Sequence, residues 1–379
     1  QFNPLKILQV NGRSDLSGGP IAMLRLLQKM NSSKFSHTVF CPSEPNGIIS
    51  DIEKCPNCTV ISSKLIPFNF LSLIKMVRFL KKEKFDLIHS HGKAAGVYSR
   101  IVGKITGVPV IHQLHGIHYK QYPKIIQFLY LSLESFFSHW SKTIICVSES
   151  ERDEGLKLRL FNKKESVVIN NSVDTTKFKP SMESKAKTRE KNGIPLEAKV
   201  ILSISRVCYQ KNPELTLDIF AKIYKNNPNS YLMLIGISKD DYKIQKQAES
   251  LGIQNNLLCL ENQKNIHQLL SLADVYISTS RWEGLSLGVI EAMAMEIPVI
   301  LSEVTGNEEL KRKDNNEVLF ISSNLVSDYV QAIEHLFQNE SYASQMGQLA
   351  REKVKNEYNL LNSTKKMEKV YLTFDPKNK

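Results

Sequence analysis

Short apolar, β-branched runs alternate with longer helical patterns along most of the chain. In the first half the runs are LKILQV, HTVFC, TVIS, DLIHSH, PVIHQLH, TIICVS and SVVIN. They are near-continuous in apolar character, which marks strands buried on both faces of a parallel sheet. Between them IAMLRLLQKM, FLSLIKMVRFLKK and stretches near 94–106 and 124–139 carry helical spacing. The polar segment DTTKFKPSMESKAKTREKNGIP, 174–195, breaks the rhythm and reads as a linker with a short helix. The alternation then restarts with KVILSIS, YLMLIGI, LLCLE, DVYIST, PVILS and EVLF. Helices are expected near 213–225 and 241–251, over NIHQLLSLA and up to about Met295, and the chain from 325 onward is helical.

This pattern predicts an α/β protein of two successive doubly wound, Rossmann-like halves. The expected division is 1–182, 183–350 and a helical tail, 351–379, that packs back towards the first half. The length of 379 residues also favours two domains. Ligands of such sheets bind beyond the carboxyl ends of the strands, so a cleft between the halves is the natural place.

The charge adds a preference. The formal net charge is +12, which favours anionic partners: nucleic acid, phosphorylated small molecules or an acidic membrane face. Aromatic residues are not interleaved with the basic ones as a nucleic-acid module requires. No charge-free apolar stretch of about 18 residues offers a spanning helix. Six scattered cysteines fit a reducing, cytoplasmic compartment. Cys146, Cys208 and Cys259 sit in apolar, strand-like runs. Cys55 and Cys58 have redox spacing, but they precede a strand instead of opening a helix.

Candidate chemistry concentrates after three strands. In SISRVCYQKNPEL, a strand ends at Arg206 and a helix begins near Asn212, with Pro213 in its first turn. Arg206 and Lys211 there suit a diphosphate, or are surface cations. Gly18 and Gly19 follow the first strand and permit close backbone approach to a ligand, or simply a tight turn. In RWEGLSLGVIEAMAMEIPVI, Glu283 and Glu291 stand eight apart around a turn into a buried helix. Eight helical residues rise about 12 Å, so these carboxylates suit two ends of one elongated polyol ligand. Five histidines, His89, His91, His112, His115 and His118, cluster at two strand ends. Strand geometry puts His112 and His115 on opposite faces, which argues against a zinc site. GLSLG also has the form of a hydrolase elbow at Ser286, with Asp314 or Asp328 and His335 following.

These pieces together resemble the retaining GT-B glycosyltransferases of family four (glycosyl transferases group one). VINNSVDTTKFKP resembles the interdomain V-x-x-N-G-V-D-x-x-x-F-x-P, and SISRVCYQKNPEL the G-R-x-x-x-x-K-G segment. RWEGLSLGVIEAMA carries the E-x7-E hallmark, while GGP, DLIHSHG and LHG are fainter echoes in the first half. The resemblance implies a nucleotide-sugar donor, UDP-sugar favoured over GDP-sugar, with no metal or other cofactor. It implies that Arg206 and Lys211, helped by Gly18 and Gly19, neutralise the diphosphate. Glu291 would hold the ribose, and Leu260, Glu261 and Asn262 the base. Glu283 with Gly284, Leu285, Ser286 and Leu287 would hold the donor sugar, and Glu283 and His115 would serve catalysis. The partner implied is a glycan or lipid-linked acceptor, not nucleic acid; the basic stretches KMVRFLKKEK and YKQYPK suit peripheral contact with an acidic membrane, or a solvated basic face. A sugar-nucleotide epimerase of the same fold is the nearer alternative, a hydrolase or nucleic-acid module the more distant one. Ser172, Ser205, Asn212 and Glu296 replace glycines of the family pattern.

Overall fold

The structure, a computed structural model, describes residues 3–311 and 317–376. It divides into two compact units, 1–171 with 360–379, and 172–359. Asp314 lies outside the described residues.

Unit 1 holds seven strands: β1 (Leu5–Asn11), β2 (Phe35–Cys41), β3 (Cys58–Ser62), β4 (Leu87–His91), β5 (Val110–Gln113), β6 (Thr143–Cys146) and β7 (Ser166–Val168). The intervening helices are α1 (Gly18–Lys29), α2 (Ile49–Ile52), α3 (Phe70–Glu83), α4 (Gly92–Thr106), α5 (Lys124–Ser138) and α6 (Glu149–Lys157). Unit 2 holds α7 (Met182–Lys191), β8 (Lys199–Ile204), α8 (Pro213–Asn226), β9 (Ser230–Ile235), α9 (Tyr242–Leu251) and β10 (Leu257–Leu260). It continues with α10 (Ile266–Leu270), β11 (Val275–Ser278), α11 (Leu287–Ala294), β12 (Val299–Ser302), β13 (Leu319–Ile321), α12 (Val326–Gln338) and α13 (Glu340–Glu357). The last helix, α14 (Leu360–Leu372), belongs to unit 1, where Met367 and Tyr371 join Leu5, Ile7 and Phe35 in a core.

All named pairings are parallel. The strand orders are β3-β2-β1-β4-β5-β6-β7 and β10-β9-β8-β11-β12-β13. Both halves are therefore doubly wound, as the apolar runs imply. The winding reverses between β1 and β4, and again between β8 and β11. At such a reversal the loops diverge and leave a crevice at the carboxyl edge. That topology positions the site.

The pattern missed α2 and α6. The second is short, strongly charged and of weak amphipathicity, so hydrophobic spacing gives no signal for it. Cys208 departs from expectation: β8 ends at Ile204, and Cys208 lies in the following turn, where its amide donates to the Arg206 carbonyl. Among the described residues all six cysteines are free thiols.

Candidate active site

In unit 2 the two loops at the switch point meet. The loop after β8 carries Arg206 and Lys211; the loop after β11 carries Glu283. Lys211 Nζ lies 2.6 Å from Glu283 Oε1, with side-chain exposures of 16% and 6%. Backbone and amide bonds lock the two loops together. The Gln210 amide donates to the Trp282 carbonyl at 3.0 Å, and the Arg281 N–H to the Gln210 carbonyl at 2.8 Å. Thr279 Oγ1 donates to the Asn212 carbonyl at 2.9 Å. Among the described residues the half-buried Arg206 guanidinium has no hydrogen-bond or ion-pair partner. It stays available for a ligand anion.

A third loop, after β12, closes on the Glu283 turn. The Glu283 N–H donates to the Thr305 carbonyl at 2.8 Å. Gly306 has φ +89°, and a Cβ there would stand 2.3 Å from the Glu283 carbonyl. Only glycine permits this approach. The Ser302 hydroxyl donates to the Ser280 carbonyl, and the Asn307 amide to the Ser302 carbonyl at 2.9 Å. Glu309, in the same loop, is buried.

Glu291 lies on α11, a helix buried on every face, and is itself 4% exposed. Close packing makes this helix fit. A Cβ on Gly288 would meet the Tyr276 hydroxyl at 2.8 Å and Ile204 at 3.0 Å. Burial raises the Tyr276 pKa, and the nearby Glu283 and Glu291 carboxylates push it further the same way. Both carboxylates thus act on one phenol, from the loop before α11 and from its middle. Gly284, Leu285 and Ser286 form the turn before α11, and Leu287 is its first residue.

Leu260, Glu261 and Asn262 leave β10, two strands from the switch point. The Gly236 amide donates to the Leu260 carbonyl at 2.7 Å. Gly236 has φ +95°, and a Cβ there would meet Ser205 O at 2.3 Å and Asn262 Oδ1 at 2.9 Å. The predicted base residues therefore adjoin the Arg206 loop through a glycine that the sequence reading did not single out.

Two of the family-pattern departures carry a backbone signature. Asn212 and Glu296 replace glycines, and both hold positive φ, +51° and +60°. Asn212 stands at the N-cap of α8, as expected, but in the left-handed region and without a side-chain cap bond.

In unit 1, α1 begins at Gly18, and a Cβ on Gly19 would stand 3.6 Å from the His115 ring. His115 belongs to a polar chain. His91 Nδ1 lies 3.3 Å from His115 Nε2, and His91 Nε2 lies 2.8 Å from Gln9 Oε1. The Gln9 amide donates to the Tyr371 hydroxyl (2.9 Å) and pairs with His37 Nδ1 (3.2 Å). Burial lowers the His91 pKa well below its usual value, with His89, His115 and His112 adding to the effect, so His91 is neutral. The Gln9 carbonyl can only accept, so the His91 proton sits on Nε2. His91 Nδ1 is then an acceptor, which puts the His115 proton on Nε2 and leaves His115 Nδ1 unprotonated. Burial and the neighbouring His118 hold the His115 pKa down, at about 4.

Glu151 fastens the same loop. It accepts from the amides of Gly116 and Val147, the second at 2.7 Å, and burial raises its pKa to about 7. His112 pairs with the Ser90 hydroxyl at 2.9 Å. Among the described residues no group of three or more His, Cys, Asp or Glu side chains could hold a metal.

Sequence spacing gave no signal for Gly236, Gly306, Tyr276, Gln9, Tyr371 or Glu151. Most of their partners lie far off in the chain, so only the fold brings them in. The hydrolase elbow does not assemble. Seven loop residues, 279–285, separate β11 from Ser286, whereas an elbow needs the strand to run straight into the turn. Asp328 pairs with Ser323 and Ser327, and His335 with Asn339.

The family Glycosyl transferases group 1 matches residues 184–353, and Glycosyltransferase Family 4 matches residues 16–177. A relative from Escherichia coli, UDP-Gal:alpha-D-GlcNAc-diphosphoundecaprenol alpha-1,3-galactosyltransferase, is 26% identical over 386 residues, covering 97% of each chain. The alpha-monoglucosyldiacylglycerol synthase of Streptococcus pneumoniae is 26% identical, over 72% of this chain and 65% of its own. The crystal structure of Anabaena Alr3699/HepE in complex with UDP-glucose superposes with a TM-score of 0.85 at 18% identity, over 97% of this chain and all of that one. Together the two family matches span nearly the whole chain, and the chain belongs to the group 1 glycosyltransferases of GT-B fold.

Proposed function

We propose that the protein moves a hexose or N-acetylhexosamine from a nucleotide-sugar, preferably a UDP-sugar, to a lipid-linked or glycan acceptor with retention at the anomeric carbon. The observation that carries this reading is the meeting of Arg206, Lys211 and Glu283 at the switch point of unit 2, with Glu291 on the adjoining helix. A diphosphate needs fixed cations and amide donors, and a sugar needs acceptors for its hydroxyls. Arg206 and Lys211 supply the first, with the start of α8. Glu283 and the amides of residues 284–287 supply the second, and Glu291 takes the ribose. Leu260 to Asn262 border the base.

Catalysis in this reading is charge stabilisation. Negative charge grows on the leaving diphosphate as the glycosidic bond breaks, and preorganised cations favour that state over the ground state. Lys211 orients the Glu283 carboxylate before substrate arrives. His115, neutral and with Nδ1 unprotonated, offers a hydrogen-bond acceptor to a sugar hydroxyl. Gly18 and Gly19 leave the start of α1 bare of side chains for a phosphate or the acceptor. Relatives named for UDP-Gal and diphosphoundecaprenol, and a neighbour solved with UDP-glucose, support a UDP-sugar and a lipid-linked acceptor. Free thiols support a cytoplasmic setting.

The test is a transfer assay with UDP-, GDP- and ADP-sugars on a prenyl-diphosphate-linked sugar, with NMR of the product's anomeric proton. The reading expects UDP-sugar turnover and a product of the donor's own anomeric configuration. Hydrolysis or epimerisation without transfer, or an inverted product, would overturn it.

A further inference from the structure

Helix α5 is turned inside out. A surface helix of a globular domain normally buries its apolar stripe and shows its polar face. Here the buried residues are Glu134 and Ser138. Glu134 accepts from Arg100 at 2.6 Å, an arginine with no solvent exposure. On the next turn inward, Tyr130 receives the Lys93 ammonium at 3.9 Å from its ring centre. The outward face carries Ile125, Phe128, Leu129, Leu133 and Phe136, between 54% and 77% exposed. The inner ion pair fixes this orientation, because rotating the helix would strip Arg100 of its carboxylate.

Helix α3 buries Leu73, Met76 and Leu80 in the ordinary way, but it too shows apolar residues. Phe70, Leu71 and Ile74 are exposed at its start. Both α3 and α5 follow strands of the same sheet and begin at its carboxyl edge. Right-handed crossovers put α3, α4 and α5 on one side of that sheet. Consistently, α3 and α4 share a core with Ile88 and Val110, and Leu131 of α5 packs by Ile144, whose register partner is His112.

The charge around these apolar residues is mainly positive. Lys75, Arg78, Lys81 and Lys82 are the exposed charges of α3, and Lys124 and Lys142 bracket α5. Of the carboxylates on the two helices, Glu134 is buried and Glu83, the last residue of α3, is partly buried. The outer side of α5 also walls an open groove of about 770 Å³ with Trp140 and Leu158, with Arg159 at its rim.

We infer that the outer faces of α3 and α5 in unit 1 form a docking surface for an anionic lipid bilayer, with the apolar side chains entering the acyl boundary and the lysines and arginines meeting headgroup phosphates. Apolar residues ringed by cations are what such an interface selects. A second copy of this chain fits poorly, since a two-fold contact would oppose the same basic rim to itself. The inference rests on the lipid-linked acceptor proposed above, and it adds where the enzyme meets that lipid.

The experiment is co-sedimentation of the full chain with vesicles of phosphatidylglycerol and phosphatidylcholine, against vesicles of phosphatidylcholine alone. Wild type should partition to the anionic vesicles and release as salt rises. The variant Ile125→Ser/Phe128→Ser/Leu129→Ser should bind at least about tenfold more weakly. Lys75→Glu/Arg78→Glu/Lys82→Glu should lose the preference for anionic lipid. Calorimetric titration of UDP into the same variants should match wild type, which separates failure of docking from failure of the donor reading. Wild type that ignores anionic vesicles, or a triple-serine variant that binds as wild type does, overturns the proposal. So does light scattering that shows a wild-type dimer and a monomeric triple-serine variant.

Discussion

Breaking the Lys211–Glu283 pair from the lysine side should cost more than removing it whole. At an effective dielectric constant of about 20, unit charges ~3 Å apart attract by about 5–6 kcal/mol before desolvation. Losing one partner of a fully buried pair costs about 3–5 kcal/mol. Lys211 keeps some water contact, so Lys211→Met should destabilise unit 2 by about 2–3 kcal/mol, stranding the Glu283 carboxylate near Glu291. Glu283→Gln should cost about 1 kcal/mol, because the freed ammonium can turn to solvent. The double variant should cost little more than Glu283→Gln alone, a coupling of about 2 kcal/mol. The chain has two tryptophans, Trp140 in unit 1 and Trp282 beside Glu283. In a Trp140→Phe background, urea unfolding followed by fluorescence reports unit 2 alone. A coupling below about 0.5 kcal/mol would show that the two side chains act independently, and the preorganisation argument would fail.

Glu283→Ala should lower transfer about a hundredfold or more while UDP binds nearly as before, because Glu283 is assigned to the sugar; steady-state kinetics beside calorimetry decides. Glu296→Gly should stabilise unit 2 by about 1 kcal/mol with activity unchanged, by relieving a left-handed residue just past the end of α11, as a urea midpoint shows. Glu151 should give unit 1 a pH slope. Its folded pKa, about 7, lies above the ordinary value of 4.5, so its contribution is full at acid pH and fades as pH rises from about 4.5 to about 7. The loss is of order 3 kcal/mol, and Glu151→Gln should flatten the slope in urea titrations across that range, whereas an unchanged slope would assign it to another group.

Two sequence signals carried most of the account. Unbroken apolar strands declared parallel sheets because strands buried on both faces need no alternation. The fixed offsets of Arg206, Lys211, Glu283 and Glu291 point to a candidate site because each offset lies within one loop–helix segment. What stayed hidden was long-range. Lys211 and Glu283 are 72 residues apart, and their contact needs the β8–β11 adjacency. Gly306 looks like any turn glycine until the Glu283 carbonyl is seen against it. Helix α5 reads as amphipathic in sequence, and periodicity alone cannot say which face goes inward; the buried Arg100–Glu134 pair decides that.

Hydrogen exchange with and without a saturating UDP-sugar tests the central claim most directly. The account predicts slowed exchange in 205–212 and 282–291, with smaller protection at 260–262. Protection confined to other segments, or none at a concentration that saturates binding, would contradict it.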